Sequence, residues 1–182
     1  MSDGSQLRER SHYFAGKAVV CGTLFGDRVI KCVSAGASAE QSGALETFSD
    51  LPIPLACRPP TRARGEARPP VAVAAVADAH GVLAYAGAAA VEELRRLGPA
   101  GSTTEVAPFP VDREDREHLA KLALQLSLER PADIYFDDYA REASRLLRES
   151  WPAVERIAEV LAERGSLNGD RVDLLVSGES TR

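Results

Sequence analysis

Aromatic residues make up only 5% of this chain, and cysteine and histidine occur three times each. So few aromatics beside so much alanine favours packed helices over a β-sandwich, which draws on aromatic and β-branched side chains. Cys21, Cys32 and Cys57 form an odd set with no CxxC pair. They therefore suggest neither a zinc knuckle nor a disulfide framework, and are expected as buried free thiols in a reducing compartment. His12, His80 and His118 are scattered, and each is expected as a surface or internally satisfied histidine. Acidic residues outnumber basic ones, 27 to 22. A net charge of −5 argues against a nucleic-acid binder driven by bulk charge. The longest apolar stretch, Val71 to Val91, is interrupted by Asp78 and His80. It is rich in alanine and not leucine, so it reads as a buried helix and no membrane span is expected. The first residues are polar and charged, so no signal peptide is expected, and a cytoplasmic location is. No internal repeat stands out.

An apolar share of 45% and a charged share of 27% are ordinary for a soluble globular domain. The length of 182 residues suits a single domain over residues 1–182 with a sizeable core and a flexible tail at 177–182. Residues 5–25 read as a first helix, with Ser5 as its cap and Gly26 as a left-handed stop. Leu7, Phe14, Ala18, Cys21 and Phe25 recur at steps of three and four and would share one buried face. "VIKCVS", Val29 to Ser34, is β-branched enough for a strand. A turn and a weaker strand in "GALETFSDLP" would pair with it as a hairpin.

Cys57 to Pro70, "CRPPTRARGEARPP", carries Arg58, Arg62, Arg64 and Arg68 against Glu66. Its prolines forbid helix or central strand. Two readings stand: a solvated loop, or a docking loop for an acidic protein partner. A helix from Pro70 or Val71 to Leu97 follows, in one piece or in two around His80-Gly81, and Gly98-Pro99 ends it. After a loop, Asp112 with Asp115 gives a capping-box-like start to a helix through Leu128. Leu119, Leu122, Ala123 and Leu126 would be its buried face, and Pro131 its break. Tyr139, Ala143, Leu146, Leu147, Trp151, Val154, Ile157, Ala158 and Leu161 form a continuous apolar stripe. Within it Pro152 either kinks one helix or starts a second, capped by Ser150. Gly165 closes this part, and "LNGDRVDLLV" suggests a short last helix. The fold class is mainly α with a small β element.

Several segments together resemble one family. "YFAGKAVV", Tyr13 to Val20, is similar to the HEAGHAVV of a zinc-protease helix. "IKCVS" at 30–34 and "GALETF" at 43–48 resemble segments of the types KVSI and ALGxT. "AGAAAVEEL", Ala86 to Leu94, resembles AGRAAEEL, with Val91 where the first glutamate would fall. The tail from Leu146 to Val176 resembles a helical C-terminus. In this order the segments resemble the protease domain of FtsH-type ATP-dependent zinc metallopeptidases, and more closely their stand-alone bacterial relatives, over about residues 9–176. No GxxxxGK[ST] loop occurs, and nothing resembles the family's ATPase half.

The resemblance implies a zincin-like helical peptidase fold. It also implies a site at Tyr13, Phe14, Lys17 and Asp115, the last placed by the pattern "DxxxLAxLA". In the family the first three are histidine, glutamate and histidine. Residues at i and i+4 share a helix face, so two imidazoles can converge on one zinc, while the glutamate acts on the metal-bound water. Here a neutral tyrosine is a poor ligand, a protonated lysine has no lone pair, and a phenylalanine moves no proton. No cofactor, no zinc and no metal-dependent hydrolysis are expected. A Lys17–Asp115 ion pair with the Tyr13 hydroxyl nearby would replace the metal. The implied role is a catalytically inactive domain that binds a protein partner as adaptor or regulator. A homo-oligomer is compatible with it, since the family's protease domains form rings. The alternatives are an active hydrolase of the same fold with a non-standard site, and a helical interaction module unrelated to peptidases.

Overall fold

A computed structural model describes residues 3–26, 28–36, 43–47, 73–98, 113, 115–117 and 132–178. Over these residues the chain is mainly helical, with one small antiparallel sheet. Among them no helix is long and apolar enough to cross a membrane. The loop with Arg58, Arg62, Arg64 and Arg68, the apolar face expected over 119–126, Cys57, His118 and residues 179–182 lie outside the described residues.

Helix α1 spans Asp3–Phe25. It starts before Ser5, which therefore sits inside the helix and is not its cap. The expected stop is present: Gly26 has φ 96° and donates its N–H to the Gly22 carbonyl at 2.8 Å. Burial differs from the one-faced expectation. From Ser11 to Cys21 every residue except Lys17 is buried, while Leu7 is only half-buried. The reason is tertiary, because helices and sheet close around α1 from several sides. A helix that is apolar all round is one enclosed by its neighbours.

Strand β1 (Ile30–Ser34) lies at the centre of the sheet, between β2 (Ala44–Thr47) and β3 (Ser166–Asn168). The hairpin pairing sets Ser34 opposite Ala44 and Val33 opposite Leu45, with an irregularity between Ile30 and Cys32. The third strand pairs Val33 with Leu167 and Ser34 with Ser166, where the sequence suggested only the approach to a last helix. Val33 and Leu167 are both part of the main core.

Helix α2 runs unbroken over Val73–Leu97. His80-Gly81 does not divide it. Gly81 lies directly under the Tyr139 ring, and His80 packs edge-on against Phe25 at 5.3 Å between ring centroids. At the other end of α2, Arg95 forks onto Glu9 of α1 with bonds of 2.9 and 3.2 Å. Between these two ends the helices touch at Gly16, where an added Cβ would lie 2.4 Å from the Ala90 Cβ and 3.0 Å from the Ala86 carbonyl oxygen. The small residues of "AGKAVV" and "AGAAA" thus have a packing reason: they let two backbones approach closely.

The apolar stripe divides between α3 (Ala132–Glu149) and α4 (Trp151–Arg164), so Pro152 starts a second helix and does not kink one. All nine stripe residues from Tyr139 to Leu161 are buried. Ser150 holds the cap position but makes no side-chain cap bond; its carbonyl accepts from the Ala153 and Val154 N–H groups. Gly165 ends α4 in a left-handed conformation, φ 75°. The last helix, α5 (Gly169–Ser177), is capped by the Asn168 side chain, which accepts from the Arg171 N–H. Ser177 and Gly178, expected in a tail, instead close this helix, with Gly178 as its left-handed cap.

Candidate functional site

Tyr13 and Lys17, one turn apart on α1, face the same way. Asp115 belongs to the helical residues 115–117 and meets them. The Lys17 ammonium donates to both carboxylate oxygens, at 2.7 Å to Oδ2 and 2.9 Å to Oδ1. The Tyr13 hydroxyl donates to Oδ2 at 3.2 Å. Lys17 Nζ also lies 5.8 Å from the Tyr13 ring centroid, within cation–π range. The Lys17 and Asp115 side chains are 15% and 16% exposed. The contact is therefore shielded enough for charge to matter, yet near enough to water for part of the ionic solvation to survive.

Phe14 turns away from this cluster. Its ring meets Tyr13 edge-on at 5.2 Å and lies over Gly43, beside β2. Tyr13 in turn lies on Gly87 of α2, where a Cβ would come within 2.5 Å of its ring. The two aromatic side chains are thus set by two glycines, one on each flank of α1.

The donor set does not suit a catalytic zinc. Such an ion takes three protein ligands with free lone pairs and one open position. Here both oxygens of Asp115 accept bonds from protein donors, and Phe14 offers no donor atom. Among the described residues no group of three or more His, Cys, Asp or Glu side chains is placed to hold a metal ion.

Other groups that could carry chemistry are engaged or silenced. Glu93, buried in α2, holds Arg96 and reaches Arg148 of α3 at 3.4 Å. The Arg96 hydrogen bond keeps its carboxyl below the ordinary range, so it is an ionised tie between helices. The resemblance had placed this residue only within a matching segment. A glutamate inside an alanine-rich helix was its one sequence signal. Burial pushes the Cys21 thiol up to about 12, far from a nucleophilic thiolate. Cys32 is half-buried and not fully buried as expected, because it lies on the sheet beside Glu46. His12 donates from Nδ1 to the Arg8 carbonyl at 2.8 Å.

No model of a known protein family matches the chain, and no curated protein matches it.

Proposed function

We propose that the chain is a peptidase-like domain of the FtsH-type, zincin-like fold whose metal site has been replaced, and that it acts by binding a protein partner. One observation supports this most. The three positions that would be histidine, histidine and aspartate in the family are Tyr13, Lys17 and Asp115, and these three meet in space across a sequence separation of 98 to 102 residues. An ammonium stands where a cation would stand, against the one acidic ligand that remains. Phe14, at the position of the glutamate, can neither accept nor deliver a proton. A domain of this kind keeps a shaped surface without hydrolysis, and the arginines at 58, 62, 64 and 68 are the candidate contact to an acidic partner.

Metal analysis tests the reading. The protein purified from zinc-supplemented medium is expected to carry no stoichiometric zinc. The variant Tyr13→His/Phe14→Glu/Lys17→His is expected to take up one zinc per chain. Zinc in the parent protein would favour a working hydrolase, and a triple variant that folds but binds none would remove the basis for the family reading.

A further inference from the structure

On the side of α1 away from the ion pair, α1 and α4 border a groove of about 420 Å³. That volume lies within the range of small-molecule sites. Ser11 and His12 of α1 line it, with Arg8 one turn before them and Glu155 and Glu159 on α4. The small side chains of Ala158 and Ala162 leave it open between the helices.

Its polar groups are unusual in being largely unengaged. Ser11 is fully buried, and its Oγ has no hydrogen-bond partner. A buried hydroxyl without a partner forfeits its bond to water and gains none in return, which is why such groups are rare in folded proteins. Glu155 and Glu159 are exposed, lie one turn apart on one helix face, and form no ion pair among the described residues. Along α3, by contrast, the arginines take nearby carboxylates, as at Arg141, Arg145 and Arg148. His12 donates from Nδ1 to a carbonyl. Burial favours the neutral ring, and with Nδ1 carrying the proton Nε2 is left as an acceptor.

We propose that this groove binds the protonated amine of an organic ligand, a primary ammonium on an alkyl chain. Four residues with acceptor groups line it, Ser11, His12 and the two glutamates, and the two carboxylates outnumber the one cation of the lining, Arg8. A primary ammonium offers three donors and a positive charge, which is the complement of that set. The net charge of −5 favours approach of a cation. The shared chemistry has two sources, a free polyamine or the lysine side chain of a partner protein. This site stands independently of the peptidase-like reading.

The only tryptophan of the chain, Trp151, stacks on His12 at 5.9 Å between ring centroids with an interplanar angle of 29°. Its fluorescence reports on the groove. The full chain is titrated with spermidine, with Nα-acetyl-lysine N-methylamide, and with tetramethylammonium at matched ionic strength, while the His12 ring nitrogens are followed by NMR. A saturable response to either amine, absent with tetramethylammonium, is expected. The double substitution Glu155→Gln/Glu159→Gln is expected to weaken it by about tenfold or more, since it removes the charge from the acceptors. Both residues are exposed, so folding of the variant is checked by circular dichroism and is expected to be unchanged. Tighter binding of spermidine points to a free polyamine, and tighter binding of the lysine derivative to a partner's side chain. No saturable change in either signal overturns the proposal. So does an equal response to tetramethylammonium, or undiminished amine binding by a folded double variant.

Discussion

Helix α1 carries two polar sites on its flanks, and they are built in opposite ways. At Lys17 every polar group has an answer: the ammonium and the Tyr13 hydroxyl both bond to Asp115. At Ser11 the hydroxyl is buried and unanswered, and the neighbouring glutamates of α4 form no ion pair among the described residues. A polar cluster that satisfies itself stabilises a fold and has little left to offer a ligand. One that does not costs stability until something binds. The first site therefore reads as a clamp, and the second as a place held ready.

The largest effect is expected where the clamp rests on the helix seam. Gly87→Val places a branched side chain against the Tyr13 ring, which a single Cβ would already approach to 2.5 Å. Tyr13 lies between α2 and Phe14, so overpacking has nowhere to relax, and a loss of about 3 kcal/mol is expected in urea unfolding. Removing the acid comes next. Asp115→Ala leaves the Lys17 ammonium and the Tyr13 hydroxyl without their partner in a shielded place. The expected cost is about 2 kcal/mol, below that of a fully buried pair because both side chains keep some contact with water. Replacing both charges, Lys17→Met/Asp115→Leu, is expected to recover to within about 1 kcal/mol of the parent, since an apolar pair needs no desolvation. A double variant no better than Asp115→Ala would mean that the cluster does more than hold helices together.

Much of this fold is legible in the sequence, for local reasons. The stripe from Tyr139 to Leu161 repeats often enough to fix its buried face, and β-branched "VIKCVS" announces its strand. Strand β3 is three residues long, too short for its alternation to stand out in the sequence, and exists because β1 offers an edge to pair with. The enclosure of α1 was hidden because Glu9 and Lys17 make it look two-faced, whereas each is half-buried against a partner from another element. The contact of Lys17 with Asp115 was legible only through the resemblance to the metallopeptidase family, because nothing local joins residues 98 apart. The groove at Ser11 was not legible at all. An unpaired hydroxyl is a statement about what the neighbouring helix fails to supply.

Acid should separate the two sites. Burial lowers the proton affinity of His12, and the Arg8 guanidinium adds to this; the bond to the Arg8 carbonyl and the charge of Glu155 act the other way. The folded value thus lies below the unfolded one of about 6.5. Between the two the unfolded chain binds more protons. The stability from a neutral His12 is therefore fully present above the unfolded value and is lost as pH falls through the folded one. Urea unfolding followed from pH 7.5 downwards is expected to show this loss, and His12→Gln to reduce its slope. The Asp115→Ala variant is expected to keep the slope of the parent near pH 6, because the ion pair and His12 share no hydrogen-bond partner.

The smallest effect carries the sharpest contrast. Ser11→Ala deletes a buried hydroxyl that has no partner and leaves a methyl group in its place. Alanine also favours helix, and no hydrogen bond is lost. The variant is therefore expected to be as stable as the parent or more stable by up to about 1 kcal/mol. That is the reverse of the sign expected on removing a polar group at Asp115. The same change removes one acceptor from the groove, so amine binding is expected to weaken while thermal stability holds or improves. Opposite movement of the two measurements is what a site kept for a ligand at the expense of stability requires. Loss of stability in Ser11→Ala would show instead that the hydroxyl is satisfied in solution, and that the two flanks of α1 are built alike.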